Sequence, residues 1–292
     1  MPGFVHRDVL DYEHGLSIKT NFAQCPSCGS LVQVPVPSSV ELLRYYPSDY
    51  RPHASGAAAP RGLLARLKDA QAALFLRALG RHLTPPERDP AILELGCGSG
   101  HILFALRRRG YGRLTGVDAQ PALASNFEGT GIRFISGNME GGLRLEGKFD
   151  LIFMSYVIEH FADPQKILTQ CRSLLSPNGR VVLLTPNSRS LAHRVFSKYW
   201  SGLHAPRHTL IFNPQSVALA ARAAGFHRTD LLYIADPAGW AFSFQNWAHS
   251  RAKSRLKSGT AWYSLVLLPF WYPAALIERQ VGRGSAMIAV LS

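Results

Sequence analysis

The chain has 292 residues, of which 47% are hydrophobic and 17% charged, and its mean hydropathy is zero. This composition excludes a wholly disordered chain, a collagen and a polytopic membrane protein, and the length suits one large domain or one domain with an appendage. The formal net charge is +13, and residues 165–230 carry nine basic side chains against one acidic. The positive electrostatic field of these residues favours polyanionic partners such as nucleic acid, anionic lipid or phosphorylated small molecules. The alternative is that the basic residues form a solvated surface that binds no such partner.

Residues 1–50 form the first predicted unit, which is rich in turn formers and contains the motif CPSCG with Cys25 and Cys28. A Cys-x-x-Cys pair supplies half of the four ligands of a structural zinc site. The sequence has no second pair of this kind, and the spacing of His6 and His14 fits no standard zinc pattern. We therefore interpret Cys25 and Cys28 as the relic of a zinc ribbon, with bound zinc as the alternative.

The number of cysteines and the composition of the first residues indicate the cellular compartment of the protein. Four cysteines in a chain of this length do not make a secreted disulfide framework, and residues 1–8 lack the apolar stretch of a signal peptide. The expected location is cytoplasmic.

Short apolar runs alternate with helical stretches from residue 91 onward, a pattern typical of βαβ units and a mainly parallel sheet. Residues 51–90 are predicted to be a linker followed by an amphipathic helix over 62–83. The predicted strands are 91–95, 114–118, 133–136, 150–155, 180–185, 229–235 and 286–291. The predicted helices between and after them include 101–109, 164–175 and 214–225.

An insertion, residues 236–284, separates the last two predicted strands. Its residues 262–277 are apolar and aromatic and follow a basic run at 251–257. Two prolines interrupt the apolar stretch, which is shorter than the roughly 20 residues of a membrane-spanning helix. We expect an interfacial helix or a hydrophobic lid, with peripheral membrane contact through residues 251–277 as a hypothesis.

The sequence ILELGCGSG at residues 92–100 ends a predicted strand and opens a helix. Its glycines let the backbone turn sharply and approach a ligand, and the helix N-terminus offers unpaired N–H groups to an anion. A dinucleotide fingerprint would need glycine in place of His101, and no Lys-Ser or Lys-Thr follows as in a P-loop. Asp118 ends the next predicted strand, where a carboxylate can accept hydrogen bonds from both ribose hydroxyls. The pattern predicts a nucleoside-bearing ligand, with a ligand-free turn capped by Asp118 as the alternative.

These motifs resemble those of the class I S-adenosylmethionine-dependent methyltransferases. The similarity continues through GVD at 116–118 and FDLI at 149–152, and extends to VIEHFADP at 157–164 and LLSPNGR at 174–180. It covers about residues 60–235 and the final strand, and the subgroup includes quinone-biosynthesis and natural-product enzymes. The resemblance implies an α/β, Rossmann-like, doubly wound sheet of seven mostly parallel strands in the order 3-2-1-4-5-7-6. It assigns residues 91–292 to the methyltransferase domain.

The resemblance also implies S-adenosylmethionine as the cofactor. The glycine loop would pack against its methionine part, Asp118 would bind the ribose, and Asn138 with Met139 would flank the adenine. The family usually has Asp at the position of Asn138, although an Asn oxygen can still accept from the adenine amino group. The predicted cofactor contacts are Glu94, Gly96, Cys97, Gly98, Gly100, Asp118, Ala119, Asn138, Met139 and Ser155.

Three histidines are the predicted catalytic residues on the acceptor side. His160 follows the predicted strand 150–155, and His204 and His208 follow 180–185, so all three should lie at the carboxyl edge of the sheet. A histidine there can serve as general base for a hydroxyl or an acidic C–H, and a packing role is the alternative. We interpret Arg207 as a loop anchor bonded to backbone carbonyls, with binding of an anionic acceptor group as the alternative.

The sequence therefore predicts a methyltransferase acting on a small-molecule or lipid- or sugar-linked acceptor. An RNA methyltransferase is the second hypothesis, suggested by the net charge. SYVI at 155–158 is unlike the Asn-Pro-Pro-Tyr type motif, and no RNA-binding module is recognisable, so nucleic acid is disfavoured. A non-catalytic cofactor-binding protein is the third hypothesis, and the intact glycine loop argues against it.

Overall fold

A computed structural model describes residues 4–46, 63–252 and 261–292. Its strands are β1 (Phe4–Leu10), β2 (Lys19–Gln24), β3 (Leu31–Val34), β4 (Ile92–Leu95), β5 (Leu114–Asp118), β6 (Arg133–Ser136), β7 (Phe149–Ser155), β8 (Leu175–Pro186), β9 (Leu210–Ile211), β10 (Thr229–Tyr233) and β11 (Ala286–Leu291). Its α-helices are α1 (Ser39–Leu43), α2 (Leu63–Leu79), α3 (His101–Arg107), α4 (Pro164–Leu174), α5 (Leu191–Phe196), α6 (Pro214–Ala223), α7 (Pro237–Arg251), α8 (Trp262–Val266) and α9 (Leu268–Gln280).

The larger sheet of the described residues has seven strands in the spatial order β6-β5-β4-β7-β8-β11-β10. The strands from β6 to β8 run parallel, and β11 lies antiparallel between β8 and β10. This is the strand order that the resemblance implied, so the predicted fold class is confirmed. The order reverses at β4, which places a ligand-binding crevice at the carboxyl ends of β4 and its neighbours.

Helices cover both faces of this sheet because alternate residues of a strand point to opposite sides. Leu93 and Leu95 of β4 share one core with buried residues of α4 and α6. Ile92 shares the other core with α2 and α3, where Phe75 packs against Phe153 with ring centroids 6.1 Å apart. The predicted helix at 101–109 ends two residues early, at Arg107 in α3.

The N-terminal segment folds into β1, β2 and β3, and β3 also pairs with β9. These strands were not predicted, because turn-forming residues separate them and the few apolar side chains of each short strand make no long pattern. Phe22 and Leu31 are nevertheless fully buried, in a core with Trp200 and Ile211. The segment is thus joined to the later part of the chain by a shared sheet and a shared core.

The described part of the insertion forms three helices, α7, α8 and α9. Helices α8 and α9 lie in the stretch where an interfacial helix or a lid was expected, whereas α7 was not predicted. Trp240 of α7 stacks on Trp271 of α9, with ring centroids 5.4 Å apart. Glu278 of α9 is fully buried and accepts hydrogen bonds from Ala192 N, Trp240 Nε1, and both N and Oγ of Ser285. None of the described helices is long and apolar enough to cross a membrane. The predicted linker at 51–60 and the basic residues 253–257 lie outside the described residues.

Candidate active site

The glycine loop after β4 has a backbone conformation that only glycine adopts without strain. The φ angles of Gly96, Gly98 and Gly100 are +68°, +50° and +81°. A Cβ on Gly96 would lie 2.5 Å from Val157 Cγ2, and one on Gly100 would lie 2.7 Å from the Phe127 ring. The loop is therefore fixed both by its torsion angles and by the side chains packed behind it.

Asp118 closes the loop from the end of β5. Its Oδ2 accepts from the Gly98 N–H at 2.9 Å, and its Oδ1 accepts from the Gln120 N–H at 3.0 Å. Each carboxylate oxygen keeps a lone pair, and the residue lines a cavity at the carboxyl edge of the sheet. Asp118 thus caps a turn and still offers acceptors to a ligand, so the two interpretations of this residue are compatible.

Glu94 and Cys97 lie beneath the loop and do not line the cavity. Glu94 Oε2 is buried and has no hydrogen-bond partner among the described residues. Burial and the neighbouring charge of Asp118 raise the pKa of this carboxyl well above its usual range. Cys97 packs in the core with Leu103. Both residues support the loop from below.

The remaining predicted cofactor residues form one wall of the cavity, namely Ala119, Asn138, Met139 and Ser155. Asn138 Oδ1 accepts from the Glu140 N–H at 3.0 Å, so this oxygen is partly committed to a local turn. Met139 is buried and belongs to the core beneath the wall. Ser155 ends β7, beside the point where the strand order reverses.

The cavity has a volume of about 550 Å³, within the usual range for ligand sites. One side is the carboxyl edge of the sheet. Leu42 and Tyr46 of the N-terminal segment and Asp236 and Phe242 of the insertion complete it. The space is thus enclosed by three separate parts of the chain.

His160, His204 and His208 meet on the wall of this cavity, and we call them the histidine cluster. The ring centroid of His160 lies 4.5 Å from that of His208 and 6.0 Å from that of His204. The centroids of His204 and His208 are 5.0 Å apart. The structure therefore brings together three histidines that the sequence placed in two separate loops.

His208 faces a buried carboxyl group, that of Glu159. His208 Nδ1 donates to Gly202 O at 2.8 Å, and its Nε2 lies 3.9 Å from Glu159 Oε1. Burial and the neighbouring His160 and His204 lower the pKa of His208 well below its usual range. Burial raises the pKa of Glu159 to about 8. Glu159 lies within the motif VIEHFADP, but no role was predicted for it, and its position directly before His160 was the available signal.

Side chains of the N-terminal segment hold the other two rings. His160 Nδ1 forms a 2.8 Å hydrogen bond with Tyr46 Oη. His204 Nδ1 lies 3.1 Å from Glu13 Oε2, and His204 has a φ of +35°, which is uncommon for a residue with a side chain. Sequence reasoning missed Tyr46 and Glu13, because nothing in their own surroundings indicates a contact more than 100 positions away.

Arg207 is a fully buried anchor between the cluster loop and the N-terminal segment. Its Nε donates to Tyr45 O at 2.9 Å, and a terminal nitrogen donates to Asp11 Oδ2 at 2.7 Å. The predicted anchoring to a backbone carbonyl is confirmed. The anion that Arg207 binds is a carboxylate of the same chain.

Tyr156 and Asp236 are further cavity residues. Tyr156 follows β7 with a φ of +55°, and its hydroxyl lies 3.5 Å from Asp236 Oδ2. Strained conformations of bulky residues are found mainly at functional sites. Asp236 belongs to the insertion, which the sequence analysis left without assigned site residues.

Cys25 and Cys28 lie in the turn between β2 and β3, where Cys28 Sγ is 3.0 Å from Ser30 Oγ. Among the described residues they belong to no group of three metal-ligating side chains within 4.8 Å. His6 instead contacts His193, and the His14 ring lies 6.4 Å from that of His204. The zinc ligands considered from the sequence are thus not brought together.

Residues 65–231 match a family model described as "Methyltransferase domain". The chain belongs to this methyltransferase family. With the strand order above, it is a class I methyltransferase, and its cofactor is S-adenosylmethionine. The enzyme hypothesis is thereby confirmed.

The methyltransferase is similar to two ubiquinone biosynthesis O-methyltransferases of Cereibacter sphaeroides. It is 29% identical to that of strain KD131 over 165 residues, which is 52% of this chain and 66% of the relative. It is 29% identical to that of strain ATCC 17025 over 188 residues, 60% of this chain and 75% of the relative.

Solved structures show the same fold. A methyltransferase from Mesorhizobium loti superposes with a TM-score of 0.53 at 16% identity, covering 77% of this chain and 99% of the other. Geranyl diphosphate C-methyltransferase from Streptomyces coelicolor A3(2) superposes with a TM-score of 0.52 at 19% identity, covering 78% and 80%.

Proposed function

We propose that the enzyme transfers the methyl group of S-adenosylmethionine to an oxygen of a hydroxylated small molecule. The observation that carries this proposal is the Glu13–His204 pair, whose 3.1 Å contact lies at the cavity wall with the rest of the histidine cluster. A neutral hydroxyl is a weak nucleophile, so its methylation needs a proton acceptor, whereas an amine needs none. The two O-methyltransferase relatives support the same acceptor chemistry.

The cavity residues fit the cofactor. Asp118 holds the Gly98 N–H and keeps acceptor lone pairs for the ribose hydroxyls, so loop and carboxylate form one preorganised surface. Asn138, Met139 and Gly96 line the cavity, where the first two would flank the adenine and Gly96 would contact the methionine part. When bound, the cofactor supplies an activated methyl group, and the protein supplies the alignment for in-line transfer.

Glu13 makes His204 the best oriented base of the cluster. Since a carboxylate only accepts hydrogen bonds, His204 Nδ1 donates to Glu13 Oε2, and Nε2 keeps the lone pair that can take a proton. Burial alone would raise the pKa of Glu13, but His204 and Arg207 hold it below its usual range, so the partner of His204 is ionised. Glu13 thus fixes the tautomer and stabilises the imidazolium.

The test is methyl transfer from labelled S-adenosylmethionine to paired acceptors, a hydroxylated aromatic and its amino analogue, with and without an isoprenoid tail. We expect a methyl ether as the product. His204→Gln should lower kcat by about 10²–10⁴-fold while the cofactor still raises the melting temperature. The exposed residue His227 provides a control, since His227→Gln should change neither quantity. Preferred methylation of the amine, or full activity of His204→Gln, would contradict the proposal.

We also propose that the acceptor is apolar and reaches the cavity from a membrane surface. Val266, Phe270 and Ile277 of α8 and α9 are 66%, 71% and 56% exposed, an unusual density of exposed apolar side chains on one pair of helices. They follow the basic run at 251–257 in the chain. Apolar residues beside basic ones are typical of interfacial helices.

Vesicle sedimentation tests this second proposal. Binding to vesicles that contain anionic phospholipid should exceed binding to neutral vesicles and should weaken with salt. Phe270→Ser should bind anionic vesicles more weakly than the unaltered protein does. Leu219→Ser, which changes a 43% exposed leucine on α6, should bind them equally well. Equal binding to both kinds of vesicle, or none, would show that this surface has another role.

A further inference from the structure

Glu159, His160 and His208 each offer one ligand atom, and these three atoms lie within 4.8 Å of one another at the edge of the cavity. We infer that these side chains form a binding site for a divalent transition-metal ion. The site itself does not depend on the proposed O-methylation, whereas the role that we give the ion rests on it.

Glu159 supplies the first observation that points to a ligand. The residue is fully buried, and its Oε2 accepts from Thr185 Oγ1 at 3.0 Å. Its Oε1 has no hydrogen-bond partner among the described residues. Leaving a buried carboxyl oxygen unpaired costs free energy that a bound cation would offset. The oxygen is directed toward His208 Nε2, 3.9 Å away.

The two histidines are oriented as metal ligands usually are. Gly202 O can only accept, so His208 Nδ1 carries the proton and Nε2 keeps its lone pair. His160 Nδ1 forms a 2.8 Å hydrogen bond with Tyr46 Oη, which orients the ring, and one of its nitrogens lies within 4.8 Å of the other two ligand atoms. Metal-binding histidines typically use one ring nitrogen for the ion and the other for a supporting hydrogen bond.

The donor set decides the class of metal. Two imidazoles and one carboxylate occur in catalytic zinc sites and in sites for iron(II), whereas magnesium and calcium prefer oxygen ligands. Ligands bonded to zinc at 2.0–2.1 Å in a tetrahedron are about 3.4 Å apart. The 3.9 Å separation of Glu159 Oε1 and His208 Nε2 is close to this value, so small side-chain rotations would complete the site.

Three protein ligands leave coordination positions open, and His160 and His208 border the acceptor side of the cavity. An acceptor oxygen bound there would lose its proton more readily, because a divalent cation stabilises the oxyanion. The O–H bond breaks and the proton moves to His204 Nε2. The oxygen then forms its bond to the methyl carbon, while the electron pair of the C–S bond returns to sulfur. Metal and base thus act on the same hydroxyl from neighbouring side chains.

The experiment is a titration of the metal-stripped full chain with Co²⁺, followed by absorption spectroscopy, with Zn²⁺ calorimetry beside it. We expect one equivalent to bind, with d–d bands and without the thiolate charge-transfer band that Cys25 and Cys28 would give. Glu159→Gln and His208→Ala should weaken binding at least ~100-fold. The double variant Cys25→Ser/Cys28→Ser and the exposed control His227→Ala should bind as the unaltered chain does. If either ligand variant no longer responds to S-adenosylmethionine in a melting experiment, His160→Ala replaces it.

Absence of binding, a thiolate band, or unchanged affinity in Glu159→Gln would each overturn the site. The two proposals fail in different ways. A chain that methylates hydroxyls without binding Co²⁺ or Zn²⁺ refutes the metal site alone. A chain that binds the metal as expected but methylates no hydroxyl refutes the proposed function alone.

Discussion

Asp118 is the residue on which cofactor affinity should depend most. Replacement by Ala would remove the proposed acceptor for both ribose hydroxyls and would also free the Gly98 N–H that shapes the loop. Hydrogen bonds to a charged group contribute about 1.5–3 kcal/mol each, so two of them correspond to a loss of at least ~10²-fold in affinity. We expect Asp118→Ala to lose most of the melting-temperature increase that S-adenosylmethionine and S-adenosylhomocysteine produce, while NAD has no effect on either protein.

Asp69 offers a matched control for this measurement. It is an exposed aspartate on α2 that pairs with Arg108 at 2.9 Å and does not line the cavity. Asp69→Ala should keep the full response to the cofactor. An Asp118→Ala protein with an undiminished response would refute the ribose role.

Site residues that belong to a short sequence motif could be predicted. Site residues that are recognised only by their contacts with distant parts of the chain could not. The glycine loop and Asp118 each follow a strand in one short stretch of sequence, so their chemistry could be inferred from spacing. His204 and His208 were found because loops after parallel strands share one edge of the sheet. Glu13 and Tyr46 contact the same histidine cluster from the N-terminal end of the sequence. Sequence motifs relate residues that are close in the chain, so they could not predict these contacts.

At the scale of elements, a pair of histidines joins β1 to α5 and should make stability depend on pH. His6 Nε2 and His193 Nε2 are 2.8 Å apart, and His193 Nδ1 donates to Ser188 O at 2.6 Å. The proton of His193 is therefore on Nδ1, and His6 donates to its Nε2. A second proton on His193 would occupy Nε2 and break this contact. Burial and the nearby His193 lower the pKa of His6 from 6.5 to about 4.

The sign of the pH dependence follows from this lowered pKa. Between pH 6.5 and about 4, the unfolded chain protonates His6 more readily than the folded one, so the stabilisation is complete above pH 6.5 and is lost as the pH falls. Urea unfolding between pH 8 and pH 4 should show this loss, and His6→Gln should make the curve flatter. The exposed His227→Gln variant should keep the original slope. Equal slopes for His6→Gln and the unaltered protein would contradict the assignment.

Elements whose buried residues are apolar could be predicted from the sequence, and an element that buries polar residues on several sides could not. The strands of the parallel sheet appear as short apolar runs, because both of their faces are covered. Helix α7 buries the polar residues Ser243, Gln245 and Asn246 as well as Trp240, so it has no single apolar stripe. Its hydrogen bonds to other parts of the chain, such as the one from Asn246 to Tyr199 O, could not be inferred from sequence.

At the scale of the whole molecule, the Arg207–Asp11 pair fastens the N-terminal segment to the rest. Arg207→Met would leave Asp11 buried without its partner, a change that typically costs about 3–5 kcal/mol. We expect this loss in the free energy of unfolding, together with earlier protease cleavage before residue 46. The control Arg228→Met breaks an exposed pair with Asp230 and should cost less than about 1 kcal/mol. Similar losses in both variants would show that the pair does not fasten the segment.

The pairing of β3 with β9 has a consequence for the order in which the protein is made. The cofactor wall is built by residues 96–155, whereas Tyr46 and His160 are 114 positions apart and Asp11 and Arg207 are 196 apart. Closing such long loops requires both ends of each contact to exist. A nascent chain emerging from the ribosome therefore carries β1 to β3 unpaired with β9 until residue 211 has been synthesised. We expect its glycine loop to form first and its acceptor side last, so newly made chains hold cofactor contacts before they can select a substrate.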